Sequence, residues 1–345
     1  MTPHGITRFP AEWEPQSAVQ LTWPHEDTDW KQSLADVESC FDVITAAISR
    51  YEPILIACAD PAYVVDRVTR AGADPDRIRA YRVATNDTWA RDHGPITVLR
   101  DGQPVLLDFA FNGWGGKFPA EHDDAITLSL FSQKAFGEIG METLPVVLEG
   151  GSIETDGEGT ILTTTSCLLN PNRNGSTTEA EAEFVLRENL GAHRVLWLHH
   201  GNLIGDDTDG HIDTLARFCD PTTIAYVTCT DKRDKHYHSL KEMEEELREL
   251  RMADGEPYRL VPLPWPRACY DPEKKRLPAT YANFLIINGA VLVPTYGDKA
   301  DAKALAAVGS CFPDREIVGI DCRAVIAQGG SLHCLTMQIP AGVQI

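Results

Sequence analysis

Cys334 follows two glycines in "GGSLHC" (329–334) and opens an apolar run, so a thiol stands at a sharp turn before a predicted strand. Three further polar stretches stand at comparable strand-to-turn junctions: "NDTWARDHGP" (86–95), "LEGGSIETDG" (148–157) and "GDDTDGHID" (205–213). Together they supply Trp89, Asp92, Glu149, His211 and Asp213 beside Cys334. Each has a plainer explanation on its own. Aspartates form turns, a single histidine is more often structural, a single cysteine is more often inert packing, and a tryptophan belongs in a core. Their recurrence at equivalent junctions argues for a shared site, because loops on a rigid scaffold are where sites form.

A thiol, an imidazole and two carboxylates suit hydrolysis of a cation. A guanidinium is planar and permanently charged, and two carboxylates grip its N–H groups by charge-assisted hydrogen bonds. Its central carbon is a poor electrophile and needs a strong nucleophile, which a thiolate provides. Ammonia must be protonated as it leaves and water deprotonated afterwards; one histidine serves both steps.

Other chemistries lack their residues. "DDTDGHID" departs from the EF-hand pattern. His199-His200 and His236-Tyr-His238 come without HExxH or paired cysteines, so no metal is expected. Neither nucleotide-binding glycine motif occurs, and no cofactor is expected. A net charge of −20 excludes nucleic acid and anionic membrane as partners. It suits a small cationic substrate, although solubility alone accounts for such charge.

The elements that must position these residues alternate. Hairpins turned at Asp101-Gly102, Asp220-Pro221 and Asn288-Gly289 alternate with single helices, with further single strands between them. The pattern returns roughly every 45–70 residues, which predicts modules stacked around an axis rather than a doubly wound sheet. The predicted helices include 30–51, with Leu34, Val37, Phe41, Ile44 and Ile48 on one face, and 177–191, closed by glycine. The stretch 159–170 reads as one strand. With 345 residues, 43% hydrophobic and no low-complexity linker, the chain reads as one α/β domain over 1–345. Nine irregularly spaced cysteines, no apolar run long enough to span a membrane and no export signal predict a reduced cytoplasmic protein. A homodimer is the expected assembly on the prevalence of twofold oligomers.

The chain resembles the agmatine deiminase and bacterial peptidyl-arginine deiminase family, within the guanidino-group-modifying pentein superfamily. The resemblance rests on "PAEWEP" (10–15), "WARDHGP" (89–95), "EGGSIETDGEGTILTTTSCLLNPNRN" (149–174), "GDDTDGHIDTLARF" (205–218), "YANFLIING" (281–289) and "GGSLHCLT" (329–336), in order along almost the whole chain. It implies a five-bladed α/β propeller of ββαβ modules. It also implies Cys334 as nucleophile, His211 as acid/base, Asp92 and Asp213 on the guanidinium, Trp89 lining the site and Glu149 supporting the substrate. The implied reaction is hydrolysis of agmatine to N-carbamoylputrescine and ammonia. Peptidyl-arginine or free-arginine deimination, amidino transfer and non-catalytic guanidine binding are the alternatives. Glu154 stands where many agmatine enzymes have histidine, and "GGSLHC" stands where many read Gly-Asn-Ile-His-Cys.

Overall fold

The computed structural model describes residues 6–345; residues 1–5, which the single-domain reading includes, lie outside the described residues. The polypeptide forms five sheets of three or four strands and one small hairpin, Cys269–Tyr270 with Arg276–Leu277. Each of the five sheets repeats one pattern: two antiparallel strands, then a helix, then a strand parallel to the second.

In chain order, the first such sheet pairs Ile96–Arg100 with Gln103–Ala110 and crosses by helix Ile126–Ser132 to Gly140–Val147. The second joins Ile153–Thr155, Thr160–Thr164, helix Glu179–Leu190 and Arg194–Leu198. The third joins Ala216–Asp220, Thr223–Val227, helix Tyr237–Glu249 and Arg259–Leu263. The fourth joins Leu285–Ile287, Ala290–Thr295, helix Asp301–Gly309 and Glu316–Asp321. The fifth is made from both ends of the chain: Thr336–Pro340 lies antiparallel to Gln16–Thr22, and helix Leu34–Ser49 leads to Ile54–Cys58.

Local chemistry explains these elements. Asp101 and Gly102 both adopt positive φ, 49° and 80°, the conformation a two-residue hairpin turn demands. Thr178 and Glu181 form a capping box at the start of Glu179–Leu190, and Gly191 closes that helix at φ 71°. Helix Leu34–Ser49 buries Val37, Phe41, Ile44 and Ile48 on one stripe.

The stretch 159–170 differs from expectation. Its strand stops at Thr164, whose side chain accepts from Cys167 N and starts the short helix Thr165–Leu168. Helix Ile126–Ser132 and strand Gly140–Val147 are additional to the expected elements and carry no sequence signal as clear as the hairpins.

Candidate active site

Every first strand of the repeated pattern is preceded by a polar loop, and the five loops meet. Asp92 lies four residues before Ile96, Glu149 four before Ile153, Asp213 three before Ala216, Asn283 two before Leu285 and Cys334 two before Thr336. Because the modules repeat, similar offsets of two to four residues become neighbouring positions in space.

The Cys334 thiol is buried. Asn283 Nδ2 donates to Sγ at 3.2 Å, and Sγ lies 3.6 Å from Asp213 Oδ2. Asn283 Oδ1 accepts from the backbone N–H groups of His333 at 2.9 Å and Cys334 at 3.2 Å, so one side chain fixes both the backbone and the sulfur. Gly329 turns the chain at φ 87°. Gly330 allows a close approach: a Cβ there would lie 2.1 Å from the Trp89 ring.

Asp92 accepts from Gly151 N at 3.1 Å through Oδ1 and from the Trp114 indole at 2.9 Å through Oδ2. His211 Nδ1 is 3.5 Å from Asp92 Oδ1, and neither ring nitrogen has a hydrogen-bond partner among the described residues. Asp213 Oδ2 meets His333 Nδ1 at 2.8 Å and Asn283 Nδ2 at 3.2 Å, while its Oδ1 is buried without a partner. Buried polar groups are normally paired, so the unpaired atoms of His211 and Asp213 are free to meet a further donor or acceptor.

Electrostatics point the same way. Burial, then the carboxylates of Asp213 and Asp92, push the Cys334 thiol well above its ordinary value. Burial, then Asp213 and Glu149, push Asp92 up as well. Burial holds His211 down to about 3, against the attraction of Asp213. Burial opposes the Asp213 anion too, yet the hydrogen bond and charge of His333 prevail and lower its pKa. Burial, Arg217 and Arg91 press the His333 pKa down. The contacts argue otherwise: a carboxylate oxygen lies 2.8 Å from each ring nitrogen, and a ring nitrogen without hydrogen would turn its lone pair on an anion. His333 therefore carries its second proton in this arrangement. The empty site is short of positive charge at the place where Asp92, Asp213 and Cys334 meet.

The cavity above Cys334 has a volume of about 370 Å³, the size of a small-molecule site. Trp89, Trp114 and Phe118 give it apolar walls. Its charged lining consists of Asp29, Asp87, Asp92, Asp206, Asp207 and Asp271 against one cation, Lys275.

The structure thus brings Trp89, Asp92 and Cys334 together on the cavity wall, with Asp213 and His211 fully buried behind it, against Cys334 and Asp92 respectively. Glu149 stands elsewhere than on the wall: it is fully buried, and Arg173 Nε donates to its two oxygens at 2.8 and 3.0 Å. Its place is against His211 and Cys167, each of which offers a ligand atom within 4.8 Å of it. Glu12, Glu154 and His333 form a similar group. In both groups the carboxylates are already occupied by arginines, so they read as ion-pair networks rather than vacant metal sites.

Asn283, Trp114, His333 and Glu12 were not singled out from the sequence. Asn283 sits inside "YANFLIING" at the same two-residue offset from its strand as Cys334, and that offset is the signal that would have found it. Glu154 lies beneath the site, bonded to Arg217 and to Phe218 N, and does not reach the cavity wall.

A sequence profile described as Porphyromonas-type peptidyl-arginine deiminase matches residues 8–340. The chain belongs to that family. Within it, an agmatine deiminase from Stutzerimonas stutzeri is 34% identical, aligned over 96% of this chain and 95% of its own. The solved structure of a Porphyromonas gingivalis protein, named provisionally as an arginine deiminase, is 54% identical with a TM-score of 0.92, covering 98% of this chain and 99% of the other. A C. jejuni agmatine deiminase with substrate bound is 36% identical with a TM-score of 0.92, covering 100% of this chain and 99% of the other. The family assignment thus extends over the same modules that carry the five loops. Among the described residues, no helix is long and apolar enough to cross a membrane.

Proposed function

We propose that this protein is a deiminase that hydrolyses agmatine to N-carbamoylputrescine and ammonia through a covalent Cys334 intermediate. The observation that carries this reading is the meeting of a buried thiol with two carboxylates and an unpartnered histidine under a strongly acidic cavity. Agmatine is cationic at both ends, and the wall offers six carboxylates against one lysine.

In this reading the guanidinium lies between Asp92 and Asp213, beside the Trp89 ring. Its charge offsets the two carboxylates that suppress thiol ionisation, so substrate binding itself favours the thiolate. The Cys334 proton passes to His211, and Sγ bonds to the central guanidinium carbon. His211 returns the proton to the departing nitrogen as the C–N bond breaks, which releases ammonia and leaves a thiouronium. Water then yields one proton to His211 and hydroxide to the carbon; the C–S bond breaks, the sulfur takes back the His211 proton, and the remaining hydroxyl proton is lost to solvent as the ureido product leaves. Transfer to an amine in place of water would make the same site an amidinotransferase; added acceptor amines would then give a new guanidino product.

We also take the five repeated sheets as the blades of a closed pentein propeller that forms one domain over 1–345. The pairing of the C-terminal strand with the N-terminal one supports closure of the ring. The nine unpaired cysteines support a reduced, cytoplasmic setting.

A second reading, deimination of free arginine, has Lys275 in its favour, since that cation on the wall is where its carboxylate would be met; a blocked arginyl peptide offers no such carboxylate. Ammonia release from agmatine, free arginine and a blocked arginyl peptide separates the readings. Agmatine is expected to give the highest kcat/KM; faster turnover of either arginine compound would move the assignment to it.

A further inference from the structure

We infer that His333 is a positioning residue for substrate binding: wedged between Asp213 and Glu12, it turns the Asp213 carboxylate so that Oδ1 faces the guanidinium. The inference rests on the proposed role of Asp213 in gripping that group.

The ring is fully buried and held at both nitrogens, Nδ1 at 2.8 Å from Asp213 Oδ2 and Nε2 at 2.8 Å from Glu12 Oε1. Glu12 is fixed in turn by Arg91 Nη1 at 3.0 Å and Arg217 Nη2 at 2.6 Å. Arg217 is anchored by the carbonyls of Ala282 and Phe284 at 3.1 and 2.6 Å, and its guanidinium lies 4.7 Å over the Phe284 ring. A row of contacts therefore runs from the start of the chain, through His333, to the site.

Its effect on Asp213 is one-sided. Oδ2 faces His333, Asn283 and Cys334, whereas Oδ1 has no hydrogen-bond partner among the described residues. An ionised carboxylate has acceptor capacity at both oxygens, so one occupied oxygen and one empty one define a direction for an incoming donor. If the ring turned, Asp213 would lose its charge-assisted partner and that direction with it.

Two substitutions separate the two ends of the ring. His333→Asn places an amide nitrogen near the position of Nδ1, keeping a donor for Asp213 and abandoning Glu12. His333→Gln reaches the position of Nε2, keeping Glu12 and abandoning Asp213. His333→Gln is expected to raise KM about 10- to 100-fold, the range for losing a hydrogen bond to a charged group. His333→Asn is expected to raise it by about fivefold or less, with kcat changing less than KM in both. The reverse order, or equal KM values with lowered melting temperatures, would reduce His333 to a tie for the N-terminal segment and overturn the inference. Should either variant be recovered unfolded, Glu12→Ala frees the far side of the ring. It is expected to raise KM about tenfold; a native KM with a lower melting temperature overturns the inference equally. Turnover of a guanidino substrate by the native enzyme tests the function itself, and the KM ratios among variants test only this positioning.

Discussion

Two groups of buried charge meet at Asp213, and they are treated in opposite ways. On the side away from the cavity, Glu12 and Glu154 are matched by Arg91, Arg217 and His333. On the cavity side, Asp92 is crowded by like charge, and the His211 ring and Asp213 Oδ1 have no hydrogen-bond partners among the described residues. In the proposed mechanism the paired group frames the site and the unpaired group takes the substrate. Buried unpaired groups lower stability, so the molecule gives up stability where chemistry needs open valences and recovers it one layer below.

The largest test of this contrast is His211→Gln. It should lower kcat/KM by roughly a thousandfold, within the span of general acid–base catalysis. It should leave the melting temperature within about 2 °C, because neither ring nitrogen makes a hydrogen bond to lose. A marked fall in melting temperature would place His211 in the frame and break the contrast. Arg217→Met is the converse. It strips the cation from between Glu12 and Glu154 and should cost about 3–5 kcal/mol in denaturant unfolding. A native midpoint would show that the lower group is no frame.

Gly151 sits on the boundary. A Cβ there would lie 2.6 Å from His211 Nδ1 and 2.7 Å from Asp92 Oδ1. Gly151→Ala should therefore displace the reactive groups and cost about 100-fold in kcat/KM, together with about 1–3 kcal/mol of stability from overpacking. Near-native activity would mean that the spacing of Asp92 and His211 is not critical.

The cavity half of this contrast was legible in the sequence and the frame was not, for a physical reason. Asp92, His211, Asp213 and Cys334 stand in glycine-bearing turns before apolar strands, where a polar residue is conspicuous. The Asp101-Gly102 hairpin turn was legible because its two positive φ angles select those residue types. Glu12 and His333 lie 321 residues apart, and their contact exists only because the C-terminal strand pairs with the N-terminal one. Glu149 was read singly, although Arg173, 24 residues further on, is its buried partner. Trp114 carries a different lesson: it reaches Asp92 from a left-handed conformation, φ 56°, which bulky residues rarely adopt and which no local pattern announces.

The smallest expected effect concerns the thiol in the empty site. With its pKa pushed up by burial, Asp213 and Asp92, Cys334 is protonated at neutral pH, and the thiolate gained on raising pH is the reactive form. Alkylation of the free enzyme by neutral iodoacetamide should accelerate about tenfold per pH unit from 7 to 9 without a plateau. The cationic reagent 2-chloroacetamidine should react faster than the neutral one at pH 7, since it supplies the missing charge. A plateau near pH 7 would mean a preformed thiolate, and the cavity-side charges would not be awaiting a cation.

The central claim, that Cys334 attacks a guanidinium held by Asp92 and Asp213, is tested most directly by acid-quenching the enzyme during agmatine turnover and analysing its peptides by mass spectrometry. The account predicts that the peptide containing Cys334 gains the mass of agmatine less ammonia, that none of the other eight cysteines does, and that Cys334→Ser abolishes both the adduct and ammonia release. An adduct on another cysteine, or full activity in Cys334→Ser, would contradict it.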